Sequence, residues 1–560
     1  MSRVYPPKQE RWPGKIRSDL RMPVIGIDLG TTFSAVAYLD ANGTPTTILN
    51  AEGELTTPSA VLFEKSGDIV VGREARRAAL AEPASVAECV KRHIGDPFYP
   101  KLINGNRFSP IEISALILVK LIQDARKKVG AVDGVVITVP AYFDEGRRQA
   151  TAQAGALAGV KVIDIINEPT SAALAYAYRG FSTQGVQTTS LPQLVLVYDL
   201  GGGTFDVTAL SIHGKNLTVL ATSGDVRLGG RDWDERLFQH MAEHFIRAHG
   251  EDPRDHPVSM QNLMLAAEET KKVLSSRKQA NYLITHAGKS YTGEITRAQF
   301  EELTQDLLFR SEHRLSRIIR QAKLTWEQID QVLAVGGSTR MPQVQEMLRR
   351  VTGKEPDCSL SPDEAVAQGA AIHAAICSTG RPPAPTPVAS TPKPAAVRPP
   401  PLPSSFKPPV VDLLGSIHTT NVNAHTLGVV VTTHDNKLRV SHLVPHNTAL
   451  PVAVKKQFGT VRDGQTSVTV RIVEGESRDP DECIAVGACT IKPLPDNLPK
   501  GSPVEVTFRY DNSGRLHVEA MEVTGGKRAS VAIDRRAAGG PNAQKTESEM
   551  AQQVAKARVS

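Results

Sequence analysis

Val195-Leu196-Val197-Tyr198-Asp199-Leu200-Gly201-Gly202-Gly203-Thr204-Phe205-Asp206-Val207 is the stretch around which the rest of this chain is read. Leu194 to Tyr198 is a short apolar run with the length and β-branching of a buried strand, and three glycines follow at once. Such a strand carries Asp199 to its carboxyl end. Glycines without a Cβ then let backbone N–H groups close on an anion, while Thr204 and Asp206 add a hydroxyl and a second carboxylate. Carboxylates beside a phosphate cradle point to a hydrated Mg²⁺, which prefers oxygen ligands and keeps several waters. Taken alone, three glycines after a strand are more often a plain hairpin turn than a phosphate site.

A second copy decides between these readings. Pro23 to Tyr38 reads as two strands joined by a turn at Gly30, again placing an acid, Asp28, at the end of an apolar strand before Leu, Gly and Thr. The two hairpins lie about 170 residues apart and imply two related lobes facing each other across a nucleotide.

At 560 residues the chain is too long for a single core. Charged residues make up 22% and aromatic residues 5%, a soluble composition with no aromatic–basic interleaving to support nucleic-acid binding. Five scattered cysteines form no disulfide framework and favour a reducing compartment. No apolar run approaches the roughly 20 residues of a membrane span, so a cytoplasmic protein without membrane partners is expected.

Between the hairpins, Val135 to Pro140 reads as a strand, Glu145 to Leu157 as a helix and Val162 to Ile166 as another strand, an α/β alternation. Ala266 to Ser275 is helical, with Glu268, Lys271, Lys272 and Ser275 near one face. Gln331 to Val335 is a strand leading into Gly336-Gly337-Ser338-Thr339-Arg340, where free N–H groups before the helix Gln343 to Val351 suit an anion, a tight turn being the alternative. Arg381 to Pro409 is proline-rich and reads as an extended linker ending in the apolar plug Val410 to Leu414, which must pack on something. Beyond it the period becomes two, at Leu427 to Val431, Val468 to Ile472, Val504 to Phe508, Leu516 to Ala520 and Val531 to Ile533. With turns such as Asp511 to Gly514, this predicts a β-sandwich.

Together these motifs resemble the 70-kDa heat-shock (DnaK-type) chaperone family. IDLGTTFS, VKRHIGD, VITVPAYFDEGRRQATAQAG, IINEPTSAALAY, DLGGGTFDVT, GGRDWD, VGGSTRMP and SPDEAVAQGAA carry the resemblance over residues 23–376. NTALPV, VEGES and YDNSGRLHVEA continue it over roughly 421–535. The resemblance implies an actin-like, two-lobed α/β ATPase domain followed by an all-β peptide-binding sandwich. The expected boundaries are a basic, disordered tail at 1–22, the ATPase domain at 23–378, the linker at 379–414, the sandwich at 415–536 and a mostly disordered tail at 537–560. Too few residues follow Ile533 for the family's α-helical lid, so fast peptide release is expected.

By the same resemblance, Asp28 and Asp199 would hold Mg²⁺ through water while Gly30, Thr31, Thr32, Phe33 and Gly201, Gly202, Gly203 and Thr204 wrap the phosphates of ATP or ADP. K⁺ is a further candidate ion. Lys91 would sit by the γ-phosphate, and Glu168 and Asp206 would orient waters. Glu268, Lys271, Lys272, Ser275, Gly336, Gly337, Ser338, Arg340 and Asp363 would line the nucleoside pocket. Pro140 and Arg148, with Glu168, match the family's relay to the linker surface. Val429, Val431, Phe458, Val468 and Val470 align with the peptide groove, although plain sandwich core would use the same residues.

The implied partners are unfolded client polypeptides, a J-domain co-chaperone and a nucleotide exchange factor, acting on a monomer. Two departures bear on this. Lys272 replaces an arginine that stacks on adenine, which predicts weaker ATP binding by about 1 kcal/mol. Asp164 stands where the family has a basic residue that helps receive the J-domain, which predicts weak or altered stimulation. A nucleotide-switched adaptor holding one dedicated partner is the alternative function.

Overall fold

The structure is a computed structural model that describes residues 23–183, 191–379, 408–511 and 516–532, together with Met550, Val554 and Val559. Two sheets of the same topology face each other in the first part of the chain. In one, Val24–Asp28 pairs antiparallel with Phe33–Leu39 and parallel with Gly134–Val139, which is followed by Val162–Asn167. In the other, Gln193–Leu200 pairs antiparallel with Phe205–His213 and parallel with Gln331–Val335. Asp28 lies opposite Ala35, and Asp199 lies opposite Asp206. Each hairpin therefore carries its acid to the turn end of its ladder, as the sequence predicts.

Local signals account for the elements around these sheets. The helix Pro110–Val129 begins where Ser109 and Glu112 cap each other, with Pro110 at a position whose N–H would have no helical partner. It ends at Gly130, whose φ of 80° suits a residue without a Cβ. One face of it buries Ile113, Leu116, Ile117 and Leu121 in the core of the first lobe. The second lobe closes around Trp233, Phe205, Phe245 and Tyr198, and the Tyr198 hydroxyl donates to Ser311 Oγ at 2.8 Å. The helix Ala365–Ser378 lies so close on Val24–Asp28 that a Cβ at Gly26 would collide with the backbone of Ala370 and Ala371.

The C-terminal part is a sandwich of two four-stranded antiparallel sheets. One contains Leu438–Val444, Leu427–Thr432, Val468–Glu474 and Ile484–Ile491; the other contains Val452–Gly459, Pro503–Tyr510, Leu516–Glu522 and Arg528–Ala532. Their inward residues, Phe508, Val506, Val518 and Ile472 among them, form one core, each worth about 1.5–3 kcal/mol in burial.

The apolar plug finds its partner on the two-lobed domain. Pro408–Leu414 is a helix whose Leu414 is fully buried with Leu39, Tyr178 and Leu217. The next strand, His418–Thr420, adds itself parallel to Asn216–Thr218 as a fifth strand of the second lobe's sheet. Residues 408–420 thus pack as part of the two-lobed domain, and the first strand of the sandwich itself is Leu427–Thr432, later than the boundary expected at 415. At the far end of the chain, Val554 is buried in the core of the first lobe and Val559 bridges Ile69. Met550 packs against the same core, and the remaining residues of the tail expected at 537–560 lie outside the described residues, as do the tail 1–22, linker residues 380–407 and part of the turn at 511–514.

Candidate nucleotide site

The two hairpins border a cleft of about 340 Å³. Asp28, Gly30, Thr31, Thr32 and Phe33 face it from one lobe, and Asp199, Gly201, Gly202 and Thr204 from the other. The hairpins approach so closely that a Cβ on Gly202 would strike Thr32 and one on Gly203 would strike Thr31. Glycine is required there by this contact as well as by any ligand. Gly203 lies behind the wall, where its carbonyl accepts from Arg92 Nε at 3.0 Å.

At the deep end, Lys91 and Glu168 form a buried ion pair. Asp28 accepts from the Thr138 hydroxyl at 2.9 Å, and Asp206 accepts the Tyr142 backbone N–H at 3.0 Å. Burial pushes all four acids up: Asp28, Glu168, Asp199 and Asp206. In Asp199 the charges of Glu168, Asp206 and Asp28 push further in the same direction. Asp206 rises to about 8 from burial and Glu168. Lys91 is kept protonated by Glu168 and Asp28 against the opposing effect of its own burial. Fully ionised, these four acids would carry more negative charge than one ammonium balances. Their donors are all oxygen, so the residues fit a hard divalent cation, whose charge would return these acids to their ionised forms.

The other end is polar. Burial alone would raise Glu268, but Arg76 and Lys272 hold its carboxyl down at about 2. Lys272 reaches Glu268 at 2.6 Å, and Arg76 pairs with the same carboxylate. Lys271 pairs with Asp234 at 2.7 Å and donates to the Gly230 carbonyl at 3.0 Å. Arg340 forks onto Asp363 at 2.8 and 3.4 Å, and Ser338 donates to the Gly201 carbonyl at 3.1 Å. Ser275, Gly336 and Gly337 complete the lining. Gly336 has φ 83° and packs on the backbone of Leu200, which ties the turn after Gln331–Val335 to the opening hairpin.

Arg76, Asp234 and Arg231 at this site were not singled out from the sequence. Asp234 and Arg231 lie in the quoted GGRDWD, whereas nothing local marks Arg76, whose role depends on a partner 192 positions away. The residues expected to form the relay sit on three pieces: Pro140 in the loop after Gly134–Val139, Arg148 on the helix Glu145–Leu157, and Glu168 at the start of the helix Glu168–Thr183. Pro140 is buried, and the Arg148 guanidinium holds the loop by donating to the carbonyls of Ala141 and Phe143 at 3.0 and 3.3 Å. In the sandwich, Val429 and Val470 are core residues, while Val431, Phe458 and Val468 are partly buried against that core. Asp164 does not project a free charge, because its carboxylate pairs with His373 Nε2 at 2.9 Å.

Duplicated strand–turn–strand units closing on a cleft of glycines, threonines and buried acids, joined to a β-sandwich, define a two-lobed nucleotide-binding protein with an appended β-domain. A profile of the Hsp70 protein family matches residues 24–104, 98–384 and 416–559, and the chain belongs to that family. It is similar to the chaperone proteins DnaK of Thermotoga neapolitana, Thermotoga petrophila and Thermotoga maritima. Each is 40% identical over 522 residues, covering 92% of this chain and 80% of the relative. No helix among the described residues is long and apolar enough to cross a membrane.

Proposed function

We propose that this chain is an ATP-hydrolysing chaperone of the cytosol that binds exposed apolar segments of unfolded polypeptides in its sandwich, with affinity set by the nucleotide in the cleft. The observation that carries this reading is a continuous path between the two domains. Asp206 accepts the N–H of Tyr142 at 3.0 Å, and the carbonyl of Tyr142 meets His425 Nε2 of the C-terminal part at 3.1 Å.

In hydrolysis, water attacks the γ-phosphorus as the bond to the bridging oxygen of ADP breaks. The protein's part in such chemistry is positioning and charge neutralisation. Lys91 sets a permanent positive charge at the phosphate end. Glu168 and Asp206 orient the attacking water, and the two glycine hairpins present N–H groups to the phosphates. Mg²⁺ held through water by Asp28 and Asp199 would neutralise phosphate charge, and K⁺ is a further candidate in the same oxygen-rich cleft. A J-domain protein and an exchange factor are the co-chaperones of this reading, acting on a monomer.

The test is peptide binding to the full chain in ATP and in ADP, across a panel of unrelated sequences. A broad response that shifts with nucleotide is expected. Binding to one dedicated sequence, or affinities that ignore the nucleotide, would replace the chaperone with an adaptor.

A further inference from the structure

Outside the cleft, three chemically distinct donors converge where the ATPase domain ends. Asp164 lies on Val162–Asn167, the edge strand of the first lobe's sheet. His373 and Cys377 lie four apart on the helix Ala365–Ser378, a spacing that puts both on one face. A carboxylate oxygen, an imidazole nitrogen and the thiol sulfur all fall within 4.8 Å of one another. The imidazole is already oriented, because its Nε2 pairs with Asp164 at 2.9 Å. Its Nδ1 is buried with no oxygen or nitrogen partner, the Cys377 thiol being the imidazole's other close polar neighbour. Cys377 is exposed, so the cluster opens to solvent on the thiol side.

We propose that Asp164, His373 and Cys377 form a binding site for a thiophilic divalent cation, Zn²⁺ being the ion suited to a mixed sulfur, nitrogen and oxygen set. Three protein donors with one side open to water are the coordination of an exchangeable rather than a closed structural zinc site. The carboxylate either completes the donor set or holds the imidazole in place for the ion, the usual companion of a metal-bound histidine. Harder ions are disfavoured by the sulfur. A bound ion would cross-link the edge strand to the last turn of the helix Ala365–Ser378. Asp164 lies four residues before Glu168, which opens the helix after this strand, so the cross-link would hold the strand that leads into one partner of the buried Lys91–Glu168 pair.

The test uses the full chain, reduced and stripped with chelator, titrated with Co²⁺. The expected result is a thiolate-to-cobalt charge-transfer band saturating at one Co²⁺ per chain and bleached by Zn²⁺. Cys377→Ser should abolish the band. His373→Ala and Asp164→Asn should each weaken binding roughly tenfold or more, with retained ATP binding showing that the variants fold. Absence of the band in the unmodified chain, or its persistence in Cys377→Ser, would overturn the site. Undiminished Co²⁺ affinity in Asp164→Asn would overturn the part given to the carboxylate. A measurement on the unmodified chain guards against variants that fail to fold: Zn²⁺ should slow alkylation of Cys377, resolved by peptide mass, while exposed Cys358 reacts at an unchanged rate. Equal alkylation of Cys377 with and without Zn²⁺ counts against the site.

Discussion

Tyr142 and His425 are joined twice: their rings lie 4.3 Å apart, and the Tyr142 carbonyl meets His425 Nε2 at 3.1 Å. The same peptide segment gives its N–H to Asp206, so a residue of the nucleotide site and a residue of the C-terminal part share one loop. Around this contact, Thr170 donates to Asn421 at 3.1 Å and the Thr222 N–H donates to Asn447 at 3.0 Å. Together these bonds hold the sandwich against both lobes in the docked arrangement.

His425→Ala should weaken that docked arrangement by about 1 kcal/mol, the usual net worth of one such hydrogen bond. Basal hydrolysis should persist, because His425 is outside the cleft, while the difference in peptide affinity between ATP and ADP narrows. Peptide titrations in the two nucleotides measure the narrowing, and an unchanged difference would show that the path does not carry the coupling.

Docking should also depend on pH through Glu145. Burial, with Glu474 and Asp511 nearby, raises its carboxyl to about 8, although Gln149 and Arg148 oppose the shift. A raised acid binds its proton more tightly in the docked form than in an undocked form, where it returns to the ordinary range. Docking is therefore fully supported below about pH 4.5 and is progressively lost as pH rises toward 8. Scattering measurements across this window should show the chain extending as pH rises, and Glu145→Gln should flatten the response.

Lys91→Met should reduce hydrolysis by about a hundredfold or more in single-turnover assays, because it removes the fixed positive charge at the phosphate end. The same change leaves Glu168 buried without its ion-pair partner. It should cost about 3–5 kcal/mol in chemical denaturation without nucleotide. A double variant, Lys91→Met with Glu168→Gln, should recover much of the stability and none of the activity.

Lys272 spends its charge on Glu268, which Arg76 already pairs. Lys272→Arg should keep that pairing and add a planar face, tightening nucleotide binding by about 1 kcal/mol, or roughly fivefold. Calorimetric titration with ADP tests this, and equal affinity in the two proteins would overturn the expectation that Lys272 weakens binding.

Much of the cleft's lining was legible because its parts are local. An acid at the end of an apolar strand, then glycine and threonine, is a contiguous pattern, and two copies of it announced two lobes. Glu145–Leu157 agrees with the helix read from spacing, and Gln193–Leu200 extends the expected strand by a residue or two at each end. In the sandwich, the strands Leu438–Val444, Val452–Gly459 and Ile484–Ile491 were not anticipated, since lysine, histidine and glycine interrupt their alternation. Their strand character comes from neighbours across the sheet rather than from their own composition.

The sequence by itself therefore determined the lobed ATPase fold, the glycine hairpins, the acids and lysine of the cleft, and the presence of a β-sandwich. Each is written in short-range periodicity and in residue types that only particular backbone shapes accept. Only the tertiary structure decided that residues 408–420 join the ATPase domain, that Arg76 shares Glu268, that Tyr142 links Asp206 to His425, and that Asp164, His373 and Cys377 converge. Those relations join residues tens to hundreds of positions apart. Their energy lies in burial and electrostatic contact between separate elements, and the spacing along any one of those elements carries no trace of it.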